Sequence, residues 1–202
     1  MLPFLVKLID YELIISNINF RDNCTSTNWR VLKTIRLNKH HLESWINESD
    51  IKIIHLIRDP RAILNSMMKW SQAWNEKIKH IGTICFDFLL NHGLEEILSS
   101  NKYYLLRFED FLQDSNSTLV KMSNKLELDL DIGDMMKALA KYYEPAEETD
   151  HYYSPYRSKD FDPDKWKTEL PVKELMHIER SCKRTLKTFN YDLVLPEGKY
   201  KY

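Results

Sequence analysis

Glycine is scarce in this chain, with 4 residues among 202. That leaves no Gly-rich loop to cradle a phosphate with backbone N–H groups. It also leaves no Walker-type glycine-lysine loop, which counts against a nucleotide-kinase-like enzyme. An excess of charge of one sign is lacking too: 29 Lys and Arg stand against 30 Asp and Glu, for a formal net charge of −1. No overall basic field draws in nucleic acid, so any polyanionic ligand must be gripped by local charge. Long apolar runs are missing as well. The opening stretch MLPFLVKLIDYELIIS is interrupted by Lys7, Asp10 and Glu12. It is too short and too charged for a membrane span, and it lacks the basic start and small-residue cleavage site of a secretory signal. It reads as a buried strand or helix. Cysteine is limited to Cys24, Cys85 and Cys182, without CxxC spacing or a metal-like pairing with His. No metal is implied by that pattern. An odd count leaves at least one thiol unpaired within the chain, and all three also read as small buried hydrophobes.

What is present argues for a folded domain. The hydrophobic content of 43% and the five Trp exclude disorder, and 202 residues fit one domain with a substantial core. Asn23-Cys24-Thr25, Asn47-Glu48-Ser49 and Asn116-Ser117-Thr118 are glycosylation sequons; chance supplies roughly one or two in a chain this rich in Asn. Residues 31–35 read as a short strand and residues 51–57 (IKIIHLI) as the clearest one. The latter is a near-continuous β-branched and aliphatic run, as in a strand covered on both faces of a parallel sheet. Residues 103–106 read as another inner strand near it. Helices are expected from Pro60, over 77–99, 118–126 and 133–143, and as one amphipathic helix over 171–189. That last helix would carry Val172, Leu175, Ile178, Cys182 and Leu186 on one face. Residues 144–164 read as an irregular loop. Alternating strands and helices point to a three-layer α/β fold with a mainly parallel sheet.

The segment IHLIRDPRAILNS carries the chemistry. Arg58 stands where a buried strand gives way to a helix, the edge at which open α/β sheets bind ligands. Its planar fork suits bidentate contact with a phosphate. Ser66 lies two turns into the helix, on the side of Ala62, with a hydroxyl able to join the same anion. Residue chemistry alone leaves a second reading, in which Arg58 and Asp59 are an ion pair and a helix cap.

This segment resembles the 3′-phosphate-binding motif of sulfotransferases, especially the Golgi carbohydrate branch, where a strand ends in Arg-Asp-Pro-Arg and a Ser follows. Further segments are similar in the same order. They are Leu32-Lys33-Thr34-Ile35-Arg36, Leu106-Arg107-Phe108-Glu109-Asp110, residues 153–158 with Trp166-Lys167, and Ile178-Glu179-Arg180-Ser181-Cys182 followed by Phe189-Asn190-Tyr191. The likeness runs from about Val31 to Tyr191. It implies a P-loop-like sulfotransferase fold, 3′-phosphoadenosine 5′-phosphosulfate (PAPS) as sulfuryl donor, and a glycan or proteoglycan hydroxyl as acceptor. Arg58, Ser66, Arg157 and Ser158 would contact the cofactor, and Lys33 would act in catalysis. Lys33 on an otherwise apolar strand would need an anionic partner. Glu109 and Asp110 read instead as a cap and as partners of Arg107, and Trp166 as a packing residue. The luminal members also imply a Cys85–Cys182 disulfide, a Golgi location and, in a full-length form, a membrane anchor.

One departure stands out. Sulfotransferases of this kind open with a strand, a Ser/Gly/Thr-rich loop and a helix that cradle the 5′-phosphosulfate. Nothing before Val31 resembles that unit, and Asn23-Cys24-Thr25-Ser26-Thr27 has no Gly. The domain therefore reads as N-terminally truncated, its first strand missing, and poor at sulfate transfer as it stands. The rival class is a non-catalytic binding protein on the same fold. The acceptor-side base is not named, because Ile35 holds the position where the cytosolic branch has its His.

Overall fold

The computed structural model describes residues 4–8, 30–34, 39–46, 51–69, 80–142 and 161–195. Within them four strands form one sheet: β1 (Phe4–Leu8), β2 (Arg30–Thr34), β3 (Ile51–Ile57) and β4 (Tyr103–Arg107). Their order is β2-β1-β3-β4, and every neighbouring pair is parallel. The expectation that the first strand is missing is overturned. Phe4–Leu8 lies between β2 and β3 and pairs with both, Val6 standing opposite Leu32 and Ile53. Five residues suffice for an inner strand, and Asp10 and Glu12, which broke the apolar run in the sequence, lie beyond its end.

The two strands read as neighbours are neighbours, with Ile53 to Ile57 registered against Tyr103 to Arg107. β4 is the outer one of the pair in the described sheet. Side chains of β3 alternate between two helical layers, as a pleated strand requires. Ile51 and Ile53 pack with Leu42 of α1 (Lys39–Ile46), Leu94 and Tyr103. Ile57 joins α2 (Pro60–Lys69), α3 (Ile81–His92) and the C-terminal helices. On the opposite face Ile54 meets Met122 and Leu126 of α5 (Ser115–Leu126), which follows the short α4 (Phe108–Gln113). Each fully buried Ile or Leu contributes about 1.5–3 kcal/mol of burial. The three-layer α/β architecture is therefore present.

After α6 (Ile132–Tyr142), the next described helix is α7 (Trp166–Glu169). The single helix expected over 171–189 is two: α8 (Val172–Ser181) and α9 (Lys183–Thr188). The break falls at Cys182, whose ψ of 11° leaves the helical range. That residue is covalently tied to Cys85 of α3, with Cα atoms 5.5 Å apart, so the implied disulfide forms. Leu175, Ile178, Cys182 and Leu186 are buried as the stripe required, whereas Val172, in the first turn, is exposed.

Candidate functional site: the carboxyl edge of the sheet

The chain leaves β1 toward β2 on one side and later returns to β3 on the other. The strand order thus reverses between β1 and β3, which is where open α/β sheets leave a crevice outside the carboxyl ends of their strands. Arg58 is the first residue past β3 at that point.

The turn carrying Arg58 is pinned from several sides. Asp59 caps α2, its Oδ1 accepting the Arg61 backbone N–H at 2.8 Å. Pro60 follows at the first helical position, where its missing N–H costs nothing. Arg61 folds back so that Nε and Nη2 donate to the Asp59 carboxylate at 3.0 and 2.8 Å. Its Nη1 donates to Glu179 Oε1 at 2.6 Å and to the Asp192 carbonyl at 2.7 Å. The guanidinium carbon lies 4.1 Å from the centre of the Trp166 ring. Burial opposes the Arg61 charge, but Asp59 and then Glu179 outweigh it, and the pKa is raised. Glu179 also accepts from the Val194 N–H at 2.9 Å, which binds the segment after α9 to the same centre.

From the β4 side, Glu109 Oε1 accepts the Asp59 N–H at 2.9 Å, and Oε2 accepts the Tyr191 hydroxyl at 2.8 Å. Burial and then the Glu109 charge push the Tyr191 pKa up, so the hydroxyl keeps the proton it donates. Arg107 lies over the Tyr191 ring at 4.6 Å and 3.7 Å from Asp110. Burial opposes its charge too, and Tyr191, Asp110 and Glu109 raise its pKa. Arg58 itself sits against aromatic rings, 5.0 Å from the centre of Phe108 and 5.6 Å from that of Phe161.

These contacts sort the expected residues. Asp59 caps α2, as the second reading of the segment has it, and forms an ion pair with Arg61. Asp110 partners Arg107 as expected, while Glu109 spans the two loops instead of capping its own helix. Trp166 is a packing residue, 2% exposed. Ser66 lies partly buried on α2, about 9 Å along the helix axis from Pro60. Lys33 is exposed near the end of β2, so water hydrates its charge and the need for an anionic partner falls away. Lys33 shares the row of Lys7 and Ile54, and strand spacing sets its Cα roughly 16 Å from that of Arg58. The two stand at one edge without forming one cluster. Arg157 and Ser158, and the residues following β1 where a 5′-phosphosulfate loop would fall, lie outside the described residues.

Reading by motif passed over Arg61, Glu179 and Tyr191 as structural ties. Glu179 was detectable: it falls beside Leu175, Ile178 and Cys182 on the buried stripe, and a charge there demands a buried cation. A cavity of about 330 Å³ opens along β4, lined by Leu106, Arg107, Asp110, Ser117 and Lys121 among others, and takes in none of Arg58, Ser66 or Lys33. Among the described residues there is no cluster of His, Cys, Asp and Glu able to hold a metal, and no helix long and apolar enough to cross a membrane.

A parallel sheet layered by helices, with an arginine at its switch point, is the open α/β architecture that carries ligand crevices at its carboxyl edge. Comparison with solved structures narrows the class. The chain is similar to mouse sulfotransferase SULT7A1 complexed with PAP, at 15% identity and a TM-score of 0.63, over 92% of this chain and 84% of that one. It is also similar to retinol dehydratase in complex with androsterone and inactive cofactor PAP, at 16% identity and a TM-score of 0.54. That likeness covers 84% of this chain and 55% of the other, so the chain spans about half of retinol dehydratase. No protein-family model and no curated protein matches the chain. The chain has the sulfotransferase fold.

Proposed function

We propose that this chain is a PAPS-dependent sulfotransferase directed at carbohydrate hydroxyls. The observation that carries the reading is Arg58, held at the carboxyl end of β3 beside β1 in a sulfotransferase fold. The residues present fit the 3′-phosphate end of the cofactor. A planar fork stands at the strand end, and the turn beneath it is fixed by Asp59, Arg61 and Glu109. PAPS, when bound, supplies the activated sulfuryl group, and its 3′-phosphate sets it apart from ATP. Arg58 holds that phosphate, and Ser66 adds a hydroxyl further along α2. Arg157 and Ser158 are assigned as further contacts, and Lys33 as the group offering charge at the β2 end. The PAP in both structural neighbours supports the cofactor assignment.

The carbohydrate acceptor rests on the Arg-Asp-Pro-Arg segment and its companions. A luminal, Golgi-type setting is supported by the Cys85–Cys182 disulfide, since such bonds persist in oxidising compartments and are rare in the cytosol. The androsterone in retinol dehydratase makes a small hydrophobic alcohol the rival acceptor. A second reading, nucleotide binding without transfer, is favoured by one observation: no Gly occurs before Gly82.

The test is transfer of radiolabelled sulfate from PAPS to a panel of glycosaminoglycans, short oligosaccharides, phenols and steroids. Label on sugars is the expected result. Label only on phenols or steroids overturns the acceptor assignment. Absence of transfer with intact PAP binding establishes the second reading, and absence of PAP binding contradicts both.

A further inference from the structure

Of the three glycosylation sequons, Asn116-Ser117-Thr118 is the one that falls within the described residues. It occupies the first turn of α5, where Asp114 caps the helix and its Oδ1 accepts the Ser117 N–H at 2.9 Å. The buried side of that helix is set by Thr118, Met122, Ser123 and Leu126. At 3.6 residues per turn Asn116 stands about 160° round the axis from Thr118, and it is exposed. Cβ bonds of a helix tilt toward its N-terminus, so a side chain in the first turn leans out past the end of the helix. A bulky hydrophilic group on the Asn116 amide therefore meets solvent, and being carried on a side chain it breaks no bond of the helical backbone. Thr118, the other half of the sequon, is folded away: it is 9% exposed and its hydroxyl donates to the Asp110 carbonyl at 3.3 Å. An enzyme that reads both residues has to act on the chain before α5 packs.

We propose that Asn116 is an N-glycosylation site, modified during synthesis and left on the solvent side of α5 by folding. The proposal rests on the luminal setting supported by the Cys85–Cys182 disulfide, since a bond of that kind and N-linked glycans both belong to secreted and luminal chains. The donor is a lipid-linked oligosaccharide diphosphate. The Asn116 Nδ2 forms a bond to the anomeric carbon of the first sugar, and the bond from that carbon to the diphosphate oxygen breaks. The lipid diphosphate leaves with the electron pair, and the amide gives up one proton. The glycan adds hydrophilic surface to a chain whose formal net charge is only −1, where self-repulsion does little to keep molecules apart.

The experiment is peptide mass spectrometry on the full chain from two sources: its own cells, and a eukaryotic line in which a cleavable signal directs it into the lumen. Trypsin cutting after Arg107 and Lys121 releases residues 108–121, in which Asn116 is the sole Asn. Peptide N-glycosidase in heavy-oxygen water converts a glycosylated Asn to labelled Asp, so label in this peptide reads occupancy at Asn116 directly. Label is expected from both sources, in soluble protein whose Cys85–Cys182 disulfide has formed. Asn116→Gln should lose one glycan step in gel mobility; should that variant fail to fold, the wild-type peptide still gives the answer. An unlabelled peptide from soluble, disulfide-bonded directed chain overturns the assignment of Asn116 and leaves the luminal setting standing. Label in the directed chain but none in the native protein, with free thiols at Cys85 and Cys182, contradicts the luminal setting, and the proposal falls with it. Label confined to aggregated chain shows that the fold rejects a glycan at α5, which also overturns the proposal.

Discussion

Two buried side chains carry charge arguments that can be checked one residue at a time. His55, inside β3, lies 2.7 Å from the Tyr103 hydroxyl. Burial, and then the nearby His92, lower its pKa from 6.5 to about 3. Between those values the unfolded chain holds a proton that the folded chain refuses, so this contribution to stability is lost as pH falls through the window. The slope is about 1.4 kcal/mol per pH unit. His55→Gln keeps an acceptor for Tyr103 and removes the titration. Urea unfolding from pH 6.5 to pH 4 should show wild type losing stability relative to the variant, whereas parallel profiles would contradict the assignment. Glu179 is the other case. It is fully buried, so Glu179→Ala removes one of the two carboxylates that neutralise the buried Arg61 and takes the Glu179 acceptor from the Val194 N–H, which together should cost about 3–5 kcal/mol. A change in urea midpoint equivalent to less than about 1 kcal/mol would mean that Arg61 finds its partners elsewhere.

At the scale of elements, the sequence is most informative where a single local pattern decides the outcome. Ile51–Ile57 is legible because it is apolar on both faces, and its bounds match the reading. Phe4–Leu8 is legible only as a buried strand or helix, because the choice between them depends on partners remote in sequence, β2 and β3. The split between α8 and α9 is hidden for a different reason. The apolar stripe continues straight through Cys182, and periodicity does not register a backbone break at a residue tied elsewhere. The site shows the same division. Arg58 is legible from its place at a strand end, while Arg61, Glu109 and Tyr191 meet only through folding. Backbone amides of β1 should exchange slowly, as befits a strand hydrogen-bonded on both sides, and rapid exchange across 4–8 would place it outside the sheet. The disulfide closes a loop with a sequence separation of 97, and on the chain-entropy account such a loop stabilises by about 4–5 kcal/mol. Urea unfolding of Cys85→Ser/Cys182→Ser should therefore show a much lower midpoint, and an unchanged midpoint would rule out a stabilising role.

For the whole molecule, the near-balance of charge means that recognition of an anionic cofactor has to be local. The fold supplies the place, a switch point at the carboxyl edge of a parallel sheet. Ties from Arg61 to Glu179, buried, and from Glu109 to Tyr191, partly buried, brace that edge. Arg58 stands at the edge with two aromatic rings against it. The central claim is that this arginine reads a 3′-phosphate. Its most direct test is the ratio of calorimetric affinities for adenosine 3′,5′-bisphosphate and ATP, measured on wild type and Arg58→Ala. A charge-assisted contact of about 1.5–3 kcal/mol predicts that wild type prefers the bisphosphate by about ten- to a hundredfold and that Arg58→Ala loses the preference. Equal binding of the two nucleotides by wild type would contradict the account.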